Sequence, residues 1–237
     1  MNTATDADGD LSETDPELLR ARARIYDLLA ACLDGDVETL VTAAENGDFD
    51  RLSSSLPVEL DSEPLANYDR ETLSVGYDNL FVVPGPHYVP PFASAYRTDP
   101  AIDYEPDSAY HAADDGELFG EPAAELSRLY ATAGFEPTRG DGITDHVAAT
   151  FEFLGALAAA EADRRAVGDA DEVDVLRALQ RRTLNQLGWL DQFHKRVRET
   201  DSVEGAFARL VGVARTFAAW DAQTAVDPNE DDRPEIA

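Results

Sequence analysis

The amino-acid sequence predicts an all-α protein, a single-domain bundle of about seven or more helices with a long proline-rich loop. Three observations support this fold class. Apolar residues recur at helical spacing in successive stretches of the chain. No stretch shows the sustained apolar–polar alternation that is typical of strands, and no internal repeat is found. The chain has 237 residues, 43% of them hydrophobic, which is enough to bury a sizeable core.

The predicted helices follow one another along the chain. The first begins at Pro16, a first-turn proline after the capping residue Asp15, and covers PELLRARARIYDLLAACL. The second begins at Val37 and is stopped by Gly47. The same periodicity predicts further helices over residues 63–82, 122–134, 146–168, 174–197 and 205–223.

The segments between and beyond these helices set the domain organisation. A long irregular segment is expected from about Pro84 to Gly120, and a loop of that length in a compact domain is usually functional or poorly ordered. Residues 1–14 and 224–237 are rich in acidic residues and are expected to be disordered tails. A single all-helical domain is therefore expected over residues 15–223.

The charge balance of the chain is strongly acidic. The formal net charge is −29, and Lys195 is the only lysine. Such a composition is typical of halophilic proteins from a salt-saturated cytoplasm, where molar salt screens the repulsion between like charges. No basic stripe exists that could replace phosphate counterions, so we do not expect a nucleic-acid partner.

Two further features favour a cytoplasmic protein. The longest apolar runs are far shorter than the ~18 residues of a membrane helix, so direct membrane insertion is not expected. The N-terminal sequence MNTATDADGD has neither a basic start nor an apolar segment, and so it does not have the pattern of a secretory signal.

Patterns for catalysis, nucleotide binding or metal binding are not found. The histidines His87, His111, His146 and His194 lack the spacing of a zinc helix, and there is no Cys–His set. Walker-type, GxGxxG and GxSxG motifs are also missing. The single cysteine, Cys32, lies in LLAACL and is expected to be a small buried hydrophobe. The sequence therefore predicts no metal and no cofactor.

The first candidate site is YDNLFVVPGPHYVPPFASAY, residues 77–96. Its prolines restrict the backbone and lower the entropy that is lost when a loop becomes ordered. Aromatic side chains on such a loop either form a preformed apolar binding surface or fold back and fill gaps between helices. The residues alone leave both interpretations open.

The second candidate site is ITDHVAATFEF, residues 143–153. Thr144 or Asp145 is expected to cap the following helix by accepting hydrogen bonds from its free amides, which places His146 in the first turn. Glu152 lies six residues beyond His146. This stretch is either an ordinary helix cap or a polar corner, beside an apolar groove, where a carboxylate meets a cation.

Together the two stretches resemble the signature of the TorD/DmsD/NarJ family. In that family a helix ending in Leu-Phe leads into a Pro-Gly loop and a Pro-Pro-aromatic-x-Ser-x-aromatic segment, and an Asp-His pair begins a later helix. The resemblance extends over about residues 15–222, although many members carry Glu four residues after the His, where this chain has Thr150. The matching residues are Leu80, Phe81, Pro84, Gly85, Pro90, Pro91, Phe92, Ser94, Tyr96, Asp145, His146, Glu152, Phe153 and Leu154.

The resemblance implies an all-helical chaperone for redox-enzyme maturation and not an enzyme. Proteins of this kind bind the N-terminal twin-arginine signal peptide, or an equivalent leader segment, of a molybdopterin-dependent oxidoreductase catalytic subunit. They hold the apoenzyme in the cytoplasm until its cofactor is inserted, and assembly or export follows. The resemblance also admits either a monomer or a domain-swapped dimer.

A twin-arginine peptide combines two guanidinium groups with an apolar stretch, so its receptor needs an apolar groove and carboxylates. We expect Asp145 and Glu152 to supply the charge, with His146 donating a hydrogen bond or fixing the corner. Pro84, Pro90 and Ser94 belong to the same predicted site. The groove itself is expected to be lined by Tyr77, Leu80, Phe81, Pro91, Phe92 and Tyr96.

Two other functions fit parts of the sequence. A helical adaptor or assembly factor for another partner would share every compositional feature, and only a comparison of Arg-Arg with Lys-Lys peptides would separate it from a signal-peptide receptor. A small hydrolase that uses His146 with an acid would need a nucleophile within reach, and the sequence offers no obvious one.

Overall fold

The structure, a computed structural model, describes residues 16–54, 69–96, 121–201 and 205–226. The N-terminal acidic tail, the capping residue Asp15, residues 63–68 and most of the long irregular segment lie outside the described residues. Within them the chain forms nine α-helices and no strand, which confirms the all-α prediction.

The helix expected over residues 63–82 begins at Arg70, because the extended Asp69 caps it, so its expected start is wrong. Of the C-terminal tail expected at residues 224–237, only residues 224–226 are described; they belong to a helical turn in which Val226 is buried, so the expected disorder is wrong for them.

The nine helices have these bounds: α1 Pro16–Leu33, α2 Val37–Glu45, α3 Asp48–Ser54, α4 Arg70–Tyr77, α5 Glu121–Ala133, α6 Val147–Ala166, α7 Ala170–Leu184, α8 Leu190–Thr200 and α9 Ala206–Trp220. Short π-helical turns extend α4 over Asp78–Val82 and α9 over Asp221–Val226. Short 3₁₀ turns cover Ala93–Tyr96 and Asn185–Leu187. No described helix is long and apolar enough to span a membrane.

Most helix boundaries agree with the sequence prediction. The helix α1 has the predicted bounds, and α2 ends before Gly47, which adopts a left-handed φ of 67°. The single helix expected over residues 174–197 is wrong: α7 and α8 are separate, because the chain turns at Asn185–Trp189, with the side chains of Leu187 and Trp189 buried in the turn. The short helix α3 was not predicted, because seven residues are too few to show a helical apolar period.

Two apolar clusters form the interior. The larger one joins α1, α2, α4, α6, α8 and α9 and includes the buried Cys32, as predicted. Burial raises the pKa of its thiol. The smaller cluster lies between α5, α6 and α7 around Tyr130 and Phe153, whose ring centroids are 4.8 Å apart. The helices α1 and α6 form the most extensive helix pair, and this packing supports α6.

A charged network lies buried where α1, α6 and α7 meet the turn after α9. The guanidinium of Arg22 is fully buried and donates to both carboxylate oxygens of Asp221, at 2.5 and 3.0 Å, and to Gln180 Oε1 at 2.6 Å. Glu161 lies 3.4 Å from the same guanidinium, and Tyr26 donates to Asp221 at 2.6 Å. Burial alone would lower the pKa of Arg22, but Asp221 and Glu161 outweigh it and the pKa rises.

Candidate functional site

The structure brings the two candidate stretches into direct contact. The backbone N–H of Ala93 donates to the carbonyl of Asp145 at 3.1 Å, and Val147 N–H donates to the carbonyl of Pro91 at 2.8 Å. Between these bonds Phe92 and His146 form an isolated antiparallel bridge. Backbone hydrogen bonds therefore attach the proline-rich loop to the start of α6. We call this connection the joint.

Asp145 adds a side-chain contact to this joint. Its carboxylate is fully buried, and Oδ2 accepts a hydrogen bond from Ser94 N–H at 2.7 Å. The other oxygen, Oδ1, and the Ser94 hydroxyl are buried without a hydrogen-bond partner in the described part of the chain. The joint thus contains both a strong charge-assisted bond and two unsatisfied polar atoms.

The helix cap of α6 is His146, and the expectation of Thr144 or Asp145 as the cap is wrong. His146 has an extended backbone, with φ −63° and ψ 139°, and its Nδ1 accepts from Ala148 N–H at 3.1 Å. The Asp145 side chain is not available for capping because it holds the loop. Burial lowers the pKa of His146 to about 4, against the opposing charge of Asp141, and this keeps the ring neutral so that Nδ1 can accept.

A turn before α6 packs tightly against His146. Gly140 has a φ of 84°, and a Cβ atom at this position would lie 2.7 Å from His146 Cβ. The N–H of Gly140 donates to Asp34 Oδ1 at 2.8 Å, and Arg139 forms an ion pair with the same carboxylate at 3.6 Å. The turn therefore fixes His146 and joins the end of α1 to the site.

Phe81 and Tyr96, two large aromatic residues of the first candidate stretch, face the interior. Phe81 packs against Tyr77, Phe193 and Phe207 with ring centroids 5.2 to 5.9 Å apart. Tyr96 stacks on Trp189 at 5.1 Å, donates its hydroxyl to the Pro90 carbonyl, and lies 5.0 Å below the guanidinium carbon of Arg196.

The other predicted residues of this loop fall into two groups. Leu80 and Pro91 are buried, as Phe81 and Tyr96 are. The Leu80 carbonyl accepts a hydrogen bond from Val89 N–H at 2.7 Å. Phe92, Pro90 and Ser94 are partly exposed, and Pro84 is exposed. These four residues therefore expose more of their surface to a ligand than the buried residues do. The buried residues are Tyr77, Leu80, Phe81, Pro91 and Tyr96.

Glu152 lies on the outer side of α6, and its carboxylate is hydrogen-bonded to the turn that precedes α6. Its carboxylate accepts hydrogen bonds from the hydroxyl and the backbone N–H of Thr138, the latter at 2.9 Å, and from Arg139 N–H at 3.2 Å. It is only partly buried, so its negative charge reaches the surface beside the joint.

Three exposed valines form an apolar surface that sequence reasoning missed. We call Val75, Val82 and Val83 the valine strip; their exposed fractions are 56%, 54% and 53%. They lie on the outward side of α4 and its π-helical turn, whose inward side carries Tyr77, Leu80 and Phe81. No local signal in the sequence identifies this second face, because the π-helical turn over Asp78–Val82 breaks the α-helical period between Val75 and Val82.

Three carboxylates lie near Tyr77, on the helix that carries the valine strip. Burial raises the pKa of Tyr77, and the nearby charges of Asp34, Asp141 and Asp78 raise it further. We call these three residues the acidic corner. Asp78 is exposed on the same helix between Val75 and Val82, so this carboxylate of the acidic corner borders the valine strip. Among the described residues, no group of His, Cys, Asp and Glu side chains has the arrangement of a metal site.

Comparison with known proteins gives one match. Residues 31–195 match the family model described as nitrate reductase delta subunit. The match covers well over half of the chain and includes the loop, the turn and the start of α6. No curated protein and no solved structure matches the chain significantly.

Proposed function

The chain belongs to the nitrate reductase delta subunit family, a family of molybdoenzyme maturation chaperones, and from this premise we propose a specific role for it. It binds the N-terminal, twin-arginine type segment of the catalytic subunit of a molybdopterin-dependent oxidoreductase. It holds the apoenzyme in the cytoplasm until the cofactor is inserted, before assembly or export. The chain acts as a binding protein without catalytic activity of its own, in keeping with a family of chaperones.

The observation that carries this proposal is the exposed valine strip with Asp78, a member of the acidic corner, between Val75 and Val82. A twin-arginine segment presents guanidinium groups followed by apolar side chains, and this surface offers the Asp78 carboxylate beside exposed valines. Arginine forms charge-assisted, often bidentate hydrogen bonds with carboxylates, whereas the ammonium of lysine acts as a point charge. The surface is therefore complementary to an arginine pair in both charge and polarity.

The twelve residues expected at the site divide by role in this proposal. The contact group reaches the surface and touches the peptide: Pro84, Pro90, Phe92, Ser94 and Glu152. The support group is buried and holds the loop in shape for binding: Tyr77, Leu80, Phe81, Pro91, Tyr96, Asp145 and His146.

The salt concentration determines how much the ionic contacts and the apolar contacts each contribute to the binding free energy. The net charge of −29 and the single lysine support a halophilic protein that works in molar salt. At such ionic strength the Debye length is about 3 Å, so exposed ion pairs contribute little to affinity. The valine strip then supplies most of the binding free energy, and the acidic corner supplies the preference for arginine.

A peptide titration tests the proposal. A labelled peptide with an Arg-Arg pair before an apolar stretch is titrated into the full chain in molar KCl, and the Lys-Lys version of the same peptide is the control. We expect the Arg-Arg peptide to bind more tightly. Equal affinities would remove the twin-arginine role and favour the helical adaptor, while no binding of either peptide would contradict a leader-peptide receptor altogether.

A pull-down from host lysate in molar salt identifies the client. The expected prey is a molybdopterin oxidoreductase catalytic subunit whose N-terminus is protected from proteolysis. Recovery of that subunit with an N-terminus that is cleaved as fast as in the free protein would contradict binding at the leader segment.

A further inference from the structure

A second surface carries positive charge. It is formed by helices that come later in the sequence than the start of α6. A cavity of about 410 Å³ lies between α8 and α9. Its cationic lining consists of Arg198, Arg209 and Arg215, beside His194, and no carboxylate lines it. The rest of the lining includes small residues such as Gly212. A cavity with this lining is complementary to an anion.

Two arginines of the cavity have hydrogen-bonding capacity to spare. Arg198 is exposed and forms no ion pair or hydrogen bond with the described residues. Arg215 donates from Nη1 to Asp191 Oδ1 at 2.7 Å, while its Nε is buried without an acceptor. The side chain of Arg215 is nevertheless 42% exposed, so its guanidinium group reaches the cavity although Asp191 occupies Nη1.

The local charge differs from that of the whole chain. Five of its 19 lysines and arginines lie within residues 195–215, namely Lys195, Arg196, Arg198, Arg209 and Arg215, although the chain has a net charge of −29. The pKa of His194 is lowered by burial and then by the charges of Arg215 and Arg198, against Asp191 and the backbone at Ala208. The guanidinium groups of Arg215 and Arg198 therefore lie close enough to His194 to disfavour its protonated form.

The charge available in the cavity indicates the kind of anion. Asp191 already compensates Arg215 and Arg209 is engaged in an interaction of its own, so Arg198 supplies the main charge that is left for a ligand. This matches a singly charged carboxylate better than a doubly charged phosphate group. Arg215 already binds one carboxylate, that of Asp191, and the apolar Ala208 and Val213 in the lining suit the methylene stem of an acidic side chain.

We propose that the cavity between α8 and α9 binds an acidic side chain from a segment of a partner protein, with the carboxylate held by the guanidinium groups of Arg198 and Arg215. The chain then has two complementary contact surfaces: an acidic one for a cationic segment and a basic one for an acidic segment. This proposal does not depend on the twin-arginine role, because the two surfaces use different residues.

The test is a titration of the full chain with a short labelled peptide of alternating Glu and Ala. It is performed in about 0.5 M KCl, where the Debye length of about 4 Å leaves only close contacts effective. We expect saturable binding that Arg198→Gln weakens about tenfold, the loss that corresponds to one charge-assisted hydrogen bond. Arg215→Gln is a second variant at the same cavity, and Arg128→Gln on α5, which is 67% exposed, is the charge-matched control with unchanged affinity.

Several outcomes would overturn the proposal. Binding that falls equally in Arg128→Gln would reflect net charge alone. Binding of the Gln-Ala version of the peptide with the same affinity would exclude carboxylate recognition. Inorganic phosphate that displaces the peptide at lower concentration than acetate does would assign the cavity to a phosphate ligand instead. Circular dichroism of each variant verifies that the fold is retained, so a loss of binding can be assigned to the cavity.

Discussion

The Oδ2 atom of Asp145 accepts a hydrogen bond from the backbone N–H of Ser94 at 2.7 Å, and this bond ties the proline-rich loop to the start of α6. The two residues are 51 positions apart in sequence, one in each of the two candidate stretches. The relationship explains why an acidic residue stands before His146: its carboxylate organises the loop and leaves the helix cap to the imidazole.

Replacing Asp145 with alanine should destabilise the fold. The change leaves the partly buried Ser94 N–H without an acceptor, which costs about 1–3 kcal/mol of unfolding free energy. Equilibrium urea unfolding in molar salt measures the loss. Ser94→Ala is the matched control, because it removes a hydroxyl that makes no hydrogen bond and so should cost little. A larger loss in Ser94→Ala than in Asp145→Ala would contradict the assigned roles.

His146 should make stability depend on pH. Its pKa is lowered from 6.5 to about 4 in the folded protein, so the unfolded chain binds a proton more readily between these values. The contribution is therefore complete above pH 6.5 and is lost as the pH falls towards 4, by about 3 kcal/mol in all. His146→Asn keeps a capping side chain but cannot titrate.

The measurement is the unfolding free energy of wild type and His146→Asn at several pH values. Carboxylates titrate in both proteins, so the difference between the two curves isolates His146. We expect wild type to lose more stability than the variant as the pH falls from 6.5. The exposed His87 provides a control, and a pH-dependent difference of the same size for His87→Asn would refute the prediction.

Arg22 should be essential for stability. Arg22→Met removes the cation that compensates Asp221 and Glu161, both of which are buried with it, and a broken buried pair costs about 3–5 kcal/mol. Arg20→Met changes an exposed arginine on the same helix and should stay within about 0.5 kcal/mol of wild type. Similar losses in both variants would mean that the network is not the cause.

This network shows what the sequence could not reveal. An arginine within an amphipathic helix usually lies at the surface, and nothing near Arg22 in sequence marks it as buried. Its partners Glu161, Gln180 and Asp221 are 139 to 199 positions away, so only the packing of α1 against α6 and α7 brings them together. The helix α1 itself was predictable, because Pro16 and the apolar spacing are local signals.

The candidate site was predictable in part for the same reason. The two motifs were found from their residues, and the structure places them in contact. Which side of LFVV faces outward was not predictable, since a run of four apolar residues has no polar face. The π-helical turn over Asp78–Val82 also shifts the helical phase, which leaves Leu80 and Phe81 buried and Val82 exposed.

Gly140 should tolerate no side chain. Its φ of 84° is unfavourable for alanine, and the added Cβ would also approach His146 Cβ to 2.7 Å. Gly142 in the same turn has a φ of 80° but open space around it, so Gly142→Ala carries only the backbone cost of about 1–2 kcal/mol. We expect Gly140→Ala to exceed that loss in urea unfolding, and equal losses would show that the contact with His146 can relax.

The valine strip should be required for binding of the twin-arginine peptide. Val82→Ser replaces an exposed apolar side chain with a small polar one, and the lost burial corresponds to about tenfold weaker peptide binding in molar salt. Val167→Ser is the matched control, because Val167 is 73% exposed at the far end of α6. Both variants should unfold like wild type, since neither position is buried. If Val82→Ser binds the peptide as tightly as Val167→Ser does, the apolar part of the peptide lies elsewhere, and the partly exposed Phe92 becomes the next position to substitute.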